Sequence, residues 1–497
     1  MQIHKVTVLG GGSAGLIAAL TLKKQLPELP VEVVYSADLG IIGVGEGTTA
    51  AFPRHFFEYL KLDPRDFYRE AEPTWKLGIH FQWGPHPQGF YYTFLHEYKT
   101  RWPELKRNTG FYCDAETKWV GMVSACMAKG KAFPRRPDGT PHFHKSHAFH
   151  IENNKLVSYL ENQCRKQGVT FTEGKVSQVE TGPEGVAALV LESGQRVTAG
   201  LYVDASGFRS ELLGRAMGEE YVSFEKSLFC DRAVIAGWPR TTEPILPYTV
   251  AETMDSGWCW QIEHEHWINR GYVYSSRFIA DGEALAEFRQ KNPKIANEPR
   301  VVRFRSGRYR RHWIGNVVGV GNAVGFVEPL EATALQVICL EASTLADSLK
   351  DSLLEPSPSL RDLYNAYNSG QWDDIRDFLA VHYAFNSRID SPFWKACREE
   401  TALEGAEPIV RFYRENGPSL VGEGVLIDPA NSFGREGYLA LLLGQGVPHA
   451  KPWSASKEEQ RIWRERLWQY GEHAARAFSV PEALALVRAE GSMVSPW

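Results

Sequence analysis

Two stretches place lone charges among apolar neighbours, where they could do chemistry. In "TWKLGIHFQW" a single lysine, Lys76, stands among Trp75, Leu77, Ile79 and Phe81. In "GFVEPLEATALQ" two carboxylates, Glu328 and Glu331, flank a proline next to an expected helix start. A lysine buried this way loses preference for its charged form and can act as a nucleophile or hydrogen-bond donor. A carboxylate can take or lend a proton. Blander readings exist for both. Lys76 could be the solvent side of an edge strand, and on spacing alone that reading prevails. Glu331 could simply favour a helix N-terminus, a contribution of about 0.3–1 kcal/mol. Thr333-x-x-Gln336 has the form of a capping box, so a helix is expected to begin at Ala334, with first amides that suit an anion.

These residues need a scaffold. "KVTVLG" alternates and is β-branched, "SAGLIAALTLKKQL" is an amphipathic helix, and "VEVVYS" is the next strand, which makes a β-α-β unit. Between its first strand and helix lies Gly10-x-Gly12-x-x-Gly15, enclosing Ser13 and Ala14. Glycines allow the tight turn and close backbone approach to a pyrophosphate, while the helix N-terminus supplies amide donors. The second strand ends in Tyr35 and Ser36 without the acidic residue that often holds a ribose, and Asp38 lies too far into the loop. The choice between NAD and FAD therefore rests on other segments.

Further along, "NNKLVSYLENQCRKQG" reads as a helix ended by Gly168, followed by four alternating strands through "RVTAGLYVDAS". The fold class is α/β (α+β). A Rossmann-like portion over residues 1–350 carries strand-rich inserts at about 73–140 and 220–300, and residues 351–497 form a mainly helical region that caps the substrate. Trp258 and Trp260, spaced by two, share a strand face and read as core. His142, His144, His147 and His150 read as a loop-and-strand cluster, because no carboxylate or cysteine completes a metal-ligand set. The aromatic helix "RIWRERLWQYGEHAARAF" is expected to pack on the body. A net charge of −5 gives no reason to expect nucleic acid, and seven scattered cysteines suggest neither zinc nor disulfides. No signal-peptide cleavage site or membrane-length apolar run is evident, so a cytoplasmic protein is expected.

Two later segments resemble FAD-containing monooxygenase-type flavoproteins. "GLYVDASGFRSELL", with Asp204, resembles their return to the nucleotide domain, and "VVGVGNAVGF" resembles their second flavin turn, with Asn322 where aspartate is common. Taken with the stretches between them, the chain resembles the flavin-dependent halogenases of the tryptophan-halogenase-like branch. "IGVGEGTT" (residues 42–49, with Gly45 and Glu46) looks like the flavin-side loop of that family. "TWKLGIHFQW" matches its lysine segment and "GFVEPLEATAL" its glutamate segment. "GWCWQIE" resembles W-x-W-x-I-P with Glu263 in place of proline. "HAFHIENNKLVSYL" and "IRDFLAVHYAFNSRIDSPFW" resemble further blocks. The resemblance runs from residue 3 to about residue 395.

The resemblance implies FAD, used as FADH2, bound through Gly10, Gly12, Ser13, Ala14, Gly15, Gly45, Glu46, Asp204 and Asn322. O2 and chloride or bromide would be co-substrates, with the halide on the backbone amides of Thr333 and Ala334. Hypohalous acid would travel to Lys76, which hydrogen-bonds it or forms a haloamine. Glu331 would polarise that species or remove the ring proton, while Glu328 has a structural place near the flavin. Tyr92 and Phe94 match positions that sandwich an indole, with Trp258 and Trp260 in support. Ala332 and Ala334 replace the family's usual serine and glycine. The C-terminal part matches free-tryptophan enzymes poorly, so indole or an indole-bearing compound is the expected substrate. Other expectations are a separate NAD(P)H-dependent flavin reductase and no membrane partner, and a homodimer is compatible. An FAD-dependent aromatic monooxygenase is the alternative.

Overall fold

A computed structural model describes residues 2–40, 45–95, 97, 102–106, 110, 112–113, 119–419, 424–451, 453–489 and 497. Residues 42–44 of the flavin-side loop lie outside the described residues. The nucleotide-binding half is a six-stranded sheet in the order Trp313–Ile314, Val317–Gly319, Leu201–Asp204, Val6–Leu9, Val31–Tyr35, Thr170–Glu173. All neighbours are parallel except the antiparallel Trp313–Ile314 edge. Val6–Leu9 is buried at every position, as a central parallel strand covered on both faces requires. Helix α1 (Ser13–Gln25) buries eight consecutive residues from Gly15 to Leu22 beneath helix α2 (Ala334–Asp351). This contact brings the chain's two separate helix starts, near residues 13 and 334, into one body.

The two strand-rich inserts merge. A seven-stranded sheet runs Arg300–Arg303, Arg232–Pro239, Trp267–Tyr274, Gly257–Glu263, Thr249–Met254, Gly78–Gln82, Phe90–Thr93. Its single parallel junction pairs Thr249 with Ile79 and joins segments about 170 residues apart. Strand periodicity sorts the side chains. Ile79, Phe81, Trp258, Trp260 and Val273 enter one core, and Val234, Cys259, Tyr272 and Tyr274 enter another, closed by the Asp281–Lys291 helix. A three-stranded sheet of Glu46–Gly47, Ala148–Ile151 and Thr74–Lys76 connects the nucleotide half to this body.

Helix α3 (Pro358–Phe385) begins with Ser357, whose hydroxyl accepts from Leu360 N at 3.3 Å, and with proline at the first helical position. Its face Trp372, Ile375, Phe378, Leu379 and Tyr383 recurs every three or four residues and packs on the Trp258–Trp260 side of the large sheet. Helix α4 (Gly434–Gly444) closes over it. Phe378 stacks on Phe433 at 3.8 Å and meets Tyr438 edge-on at 5.1 Å. The Lys457–Ala475 helix packs against the Met122–Ala128 helix, as an aromatic amphipathic stretch should. Among the described residues no helix is long and apolar enough to cross a membrane.

Candidate active site

The glycine turn is shaped for a phosphate. Gly10 has φ +130°, and a side chain there would strike Ala205 O at 2.3 Å; one on Gly15 would strike Gly10 O at 1.9 Å. Gly12, by contrast, faces open space, with no atom within 4 Å of where a Cβ would sit. No side chain caps α1 and no acidic residue enters its first turn, so its leading amides are left for an anion. Gly321 packs against Ala14, which brings the turn containing Asn322 beside Gly10–Gly15. These residues fit the pyrophosphate end of FAD. Asp204 is committed to its own turn. Its buried carboxylate accepts from Ser206 N and Oγ and from Leu212 and Leu213 N at 2.6–3.0 Å, so it organises the following turn. Glu46, at the start of the small sheet, is pushed up to about 7 by its dense surroundings.

Lys76 is 0% exposed, which removes the solvent-facing reading although its strand lies at an edge of the small sheet. It ends the Thr74–Lys76 strand, its Nζ donates to the Thr48 carbonyl at 3.1 Å, and it lies 5.2 Å from the Phe94 ring centroid. Burial pushes its ammonium down to about 7, and Glu331 pulls it partly back up. At neutral pH a large share of the amine is therefore neutral and nucleophilic. Glu331 is 1% exposed, on the short helical turn Pro329–Glu331. Burial raises its carboxyl above the usual range, opposed by His382 and then by Lys76. Lysine and glutamate are thus one electrostatic unit, although 255 positions separate them.

His382, on α3, was not among the residues singled out from the sequence. Its Nε2 lies 2.7 Å from Glu331 Oε1, and both side chains are buried. The next residue, Tyr383, donates to Glu328 Oε1. Two carboxylates three apart are therefore held by two consecutive residues of one helix. Glu328 is pushed up to about 7 by burial, opposed by Tyr383; the Trp258 indole N–H also favours its charged form without meeting hydrogen-bond geometry. The only sequence signal for His382 was its place in the "AVHYAF" block.

Ala334 opens α2, as expected, but the capping box does not form. No side chain caps the helix, and Gln336 Oε1 accepts instead from Thr49 Oγ1 at 2.6 Å. A tertiary partner 287 positions away takes the glutamine from its local role. Thr333 and Ala334 still present uncapped backbone amides with no acidic residue in the first turn of α2. Ala332 before them has φ +57°, a conformation that costs an alanine about 1–2 kcal/mol. A methyl added at Gly47 would sit 3.3 Å from Ala332 Cβ and 3.4 Å from Lys76 Nζ, so these three positions adjoin.

The aromatic side is built from the large sheet. Tyr92 lies in the Phe90–Thr93 strand, 6.1 Å from the Phe378 ring, and Phe94 follows just beyond that strand. Trp258 and Trp260 are both buried, 6.0 Å apart on one face. Glu263 makes a buried ion pair with Arg240 and accepts from Gln261 Nε2 at 2.6 Å. Of the histidines, His150 is buried on a strand with Nε2 2.8 Å from Thr249 Oγ1, and His147 Nδ1 lies 2.6 Å from the His144 carbonyl. No metal-binding group of three or more ligands occurs among the described residues.

The chain matches the family model described as tryptophan halogenase over residues 5–459. Tryptophan 6-halogenase ThaL of Streptomyces albogriseolus is 32% identical to it, covering 84% of this chain and 83% of its own. Tryptophan 7-halogenase RebH of Lentzea aerocolonigenes is 31% identical, covering 83% and 82%. Among solved structures, MibH, a lanthipeptide tryptophan 5-halogenase, aligns with a TM-score of 0.88 at 38% identity, covering 98% of this chain and 94% of that one.

Proposed function

The chain belongs to the tryptophan halogenase family and is a flavin-dependent halogenase using FADH2, O2 and chloride or bromide; on that premise we propose that Lys76 and Glu331 deliver the halogen to an indole ring carried by a larger molecule. FAD, when bound in its reduced form, supplies the electrons with which O2 oxidises halide to hypohalous acid. The Gly10–Gly15 turn, with Ser13, Ala14 and Asn322, would hold its pyrophosphate, and Gly45 and Glu46 would belong to the flavin side. The Thr333 and Ala334 amides hold the halide at the positive end of α2.

The observation that carries this reading is Lys76 itself: fully buried, held near neutrality, beside an aromatic ring and coupled to Glu331. Its amine can donate a hydrogen bond to hypohalous acid. It can also form an N–halogen bond as the O–halogen bond breaks, the departing hydroxide taking the amine proton to give water. The indole ring, between Tyr92 and Phe94, takes the halogen, and Glu331 removes the ring proton as its electron pair returns to the ring. Trp258 and Trp260 wall this compartment.

One observation supports an indole borne on a larger molecule: the neighbour at 38% identity is a lanthipeptide tryptophan 5-halogenase. The test is mass spectrometry of parallel reactions on indole, free tryptophan and a tryptophan blocked at both ends within a peptide. Each contains FAD, NADH, a flavin reductase, halide and catalase. Faster conversion of free tryptophan or of indole than of the peptide would refute the substrate reading. Product formation by Lys76→Ala would refute the role of the lysine. The reading also takes NADH-driven reduction to reside in a separate reductase, so full activity with NADH alone would count against it.

A further inference from the structure

We infer that His382 is a positioning residue that reserves one oxygen of Glu331, so that the other is the one that handles the proton of the substrate ring. The inference rests on the proposed role of Glu331. With Glu331 ionised, as its part as a base requires, it only accepts hydrogen bonds, and the contact of 2.7 Å then has the imidazole Nε2 donating to Oε1. The opposite nitrogen, Nδ1, is buried and has no hydrogen-bond partner among the described residues. The ring is enclosed by Phe81 at 4.7 Å, Trp83 at 5.5 Å and Phe378 at 5.5 Å, all centroid distances. A polar ring in an aromatic cage with a single polar contact has one directed task. It fixes the orientation and charge of that carboxylate.

The neighbouring pair supports a built device. Tyr383 holds Glu328 as His382 holds Glu331, so α3 fixes both ends of the Glu328–Glu331 turn from one side. Glu328 is sealed with Cys230 and Trp258, whereas Glu331 is coupled to Lys76. The same clamp thus serves a structural carboxylate and a reactive one. Occupying Oε1 makes Oε2 the oxygen left for the ring proton. When the halogenated ring carbon loses its C–H proton, that proton goes to Oε2 and its electron pair returns to the ring. Loss of the donor would let burial drive Glu331 toward the neutral acid, which is no base.

The experiment compares Gln, Asn and Leu at position 382, with Glu331→Gln alongside. Reduced-flavin oxidation and halogenated product are measured separately, and thermal melting checks folding. Gln keeps an N–H at the reach of Nε2, Asn is one methylene short and Leu has no donor. The expected result for Leu is a loss of product formation of about a hundredfold, at the low end of what a positioned proton-transfer group contributes. Flavin oxidation and arene KM should hold, and Gln should recover at least a third of the wild-type rate. Wild-type product formation by Leu overturns the inference, as does a folded Gln variant no better than Leu. Should Leu fail to fold, equal rates for Gln and Asn overturn it in the same way. Full activity of Glu331→Gln would instead sink the reading of Glu331 on which it rests.

Discussion

The glycine turn and the lysine compartment are both expected to handle reactive or anionic groups, yet they are built in opposite ways. Gly10, Gly12 and Gly15 lie within six residues, and their work is done by backbone at one helix start. Lys76, Glu331, His382 and Phe94 come from four separate stretches and act through buried side chains. Backbone amides at a helix start arise wherever the helix begins. A buried ammonium beside a carboxylate exists only when the whole tertiary fold holds it out of water. The first site is cheap in stability, and the second is costly.

Substitutions that separate the two regions have the largest expected effects. Gly12→Asp places a carboxylate where the pyrophosphate should approach, and loss of both flavin oxidation and product is expected. Lys76→Ala should abolish product, by at least about a thousandfold on the scale of lost covalent or acid–base catalysis, while flavin oxidation continues. A Lys76→Ala variant that also stops oxidising reduced flavin would break the division between the regions.

A second test measures the cost of burying the charge. Folding lowers the affinity of Lys76 for its proton to about 7, whereas the unfolded lysine keeps its proton up to about 10.5. The unfolded state therefore binds more protons between these values, and stability rises with pH across that window. Below about 7 the whole cost is present, on the order of 5 kcal/mol, and above about 10.5 it vanishes. Lys76→Met should thus melt well above wild type at pH 6, with the gap closing by pH 10. A gap independent of pH would mean that lost amine packing, not charge burial, explains it. The same titration makes wild-type product formation rise as pH increases through about 7, when substrate and flavin supply are saturating.

The smallest effect concerns the start of α2. Because Thr333 makes no capping hydrogen bond, Thr333→Ala should change stability by less than the roughly 1 kcal/mol typical of a lost cap. Halide use should change little, since the amides remain. A tenfold change in halide KM would assign the Thr333 hydroxyl a part that its geometry does not suggest.

Part of this was legible in the residues. The β-α-β start, the helix ended by Gly168 and the first three strands after it form where alternation and glycine placed them, whereas the fourth, "RVTAGLYVDAS", splits into Arg196–Val197 and Leu201–Asp204, which join different sheets. The pairing of Trp258 and Trp260 on one face follows from strand period alone. The capping box at Thr333 and Gln336 was misread because a local pattern cannot register Thr49 as a competing partner. Asp204 stands in a segment that resembles a flavin-contacting one, and what the residues alone did not give is that four donors of its own turn bond both its oxygens.

By itself, the sequence determined the local geometry: where helices start, where glycine permits a close approach, which side chains alternate, and which blocks mark a flavin-dependent halogenase. Tertiary structure alone decided that Lys76 is buried rather than edge-exposed, that Glu331 shares its field, and that His382 occupies one of its oxygens. The physical reason is one of range. Backbone dihedrals and hydrogen-bond spacing act over a few residues. The desolvation and pairing that set a reactive charge depend on atoms tens to hundreds of positions away, brought together only by packing.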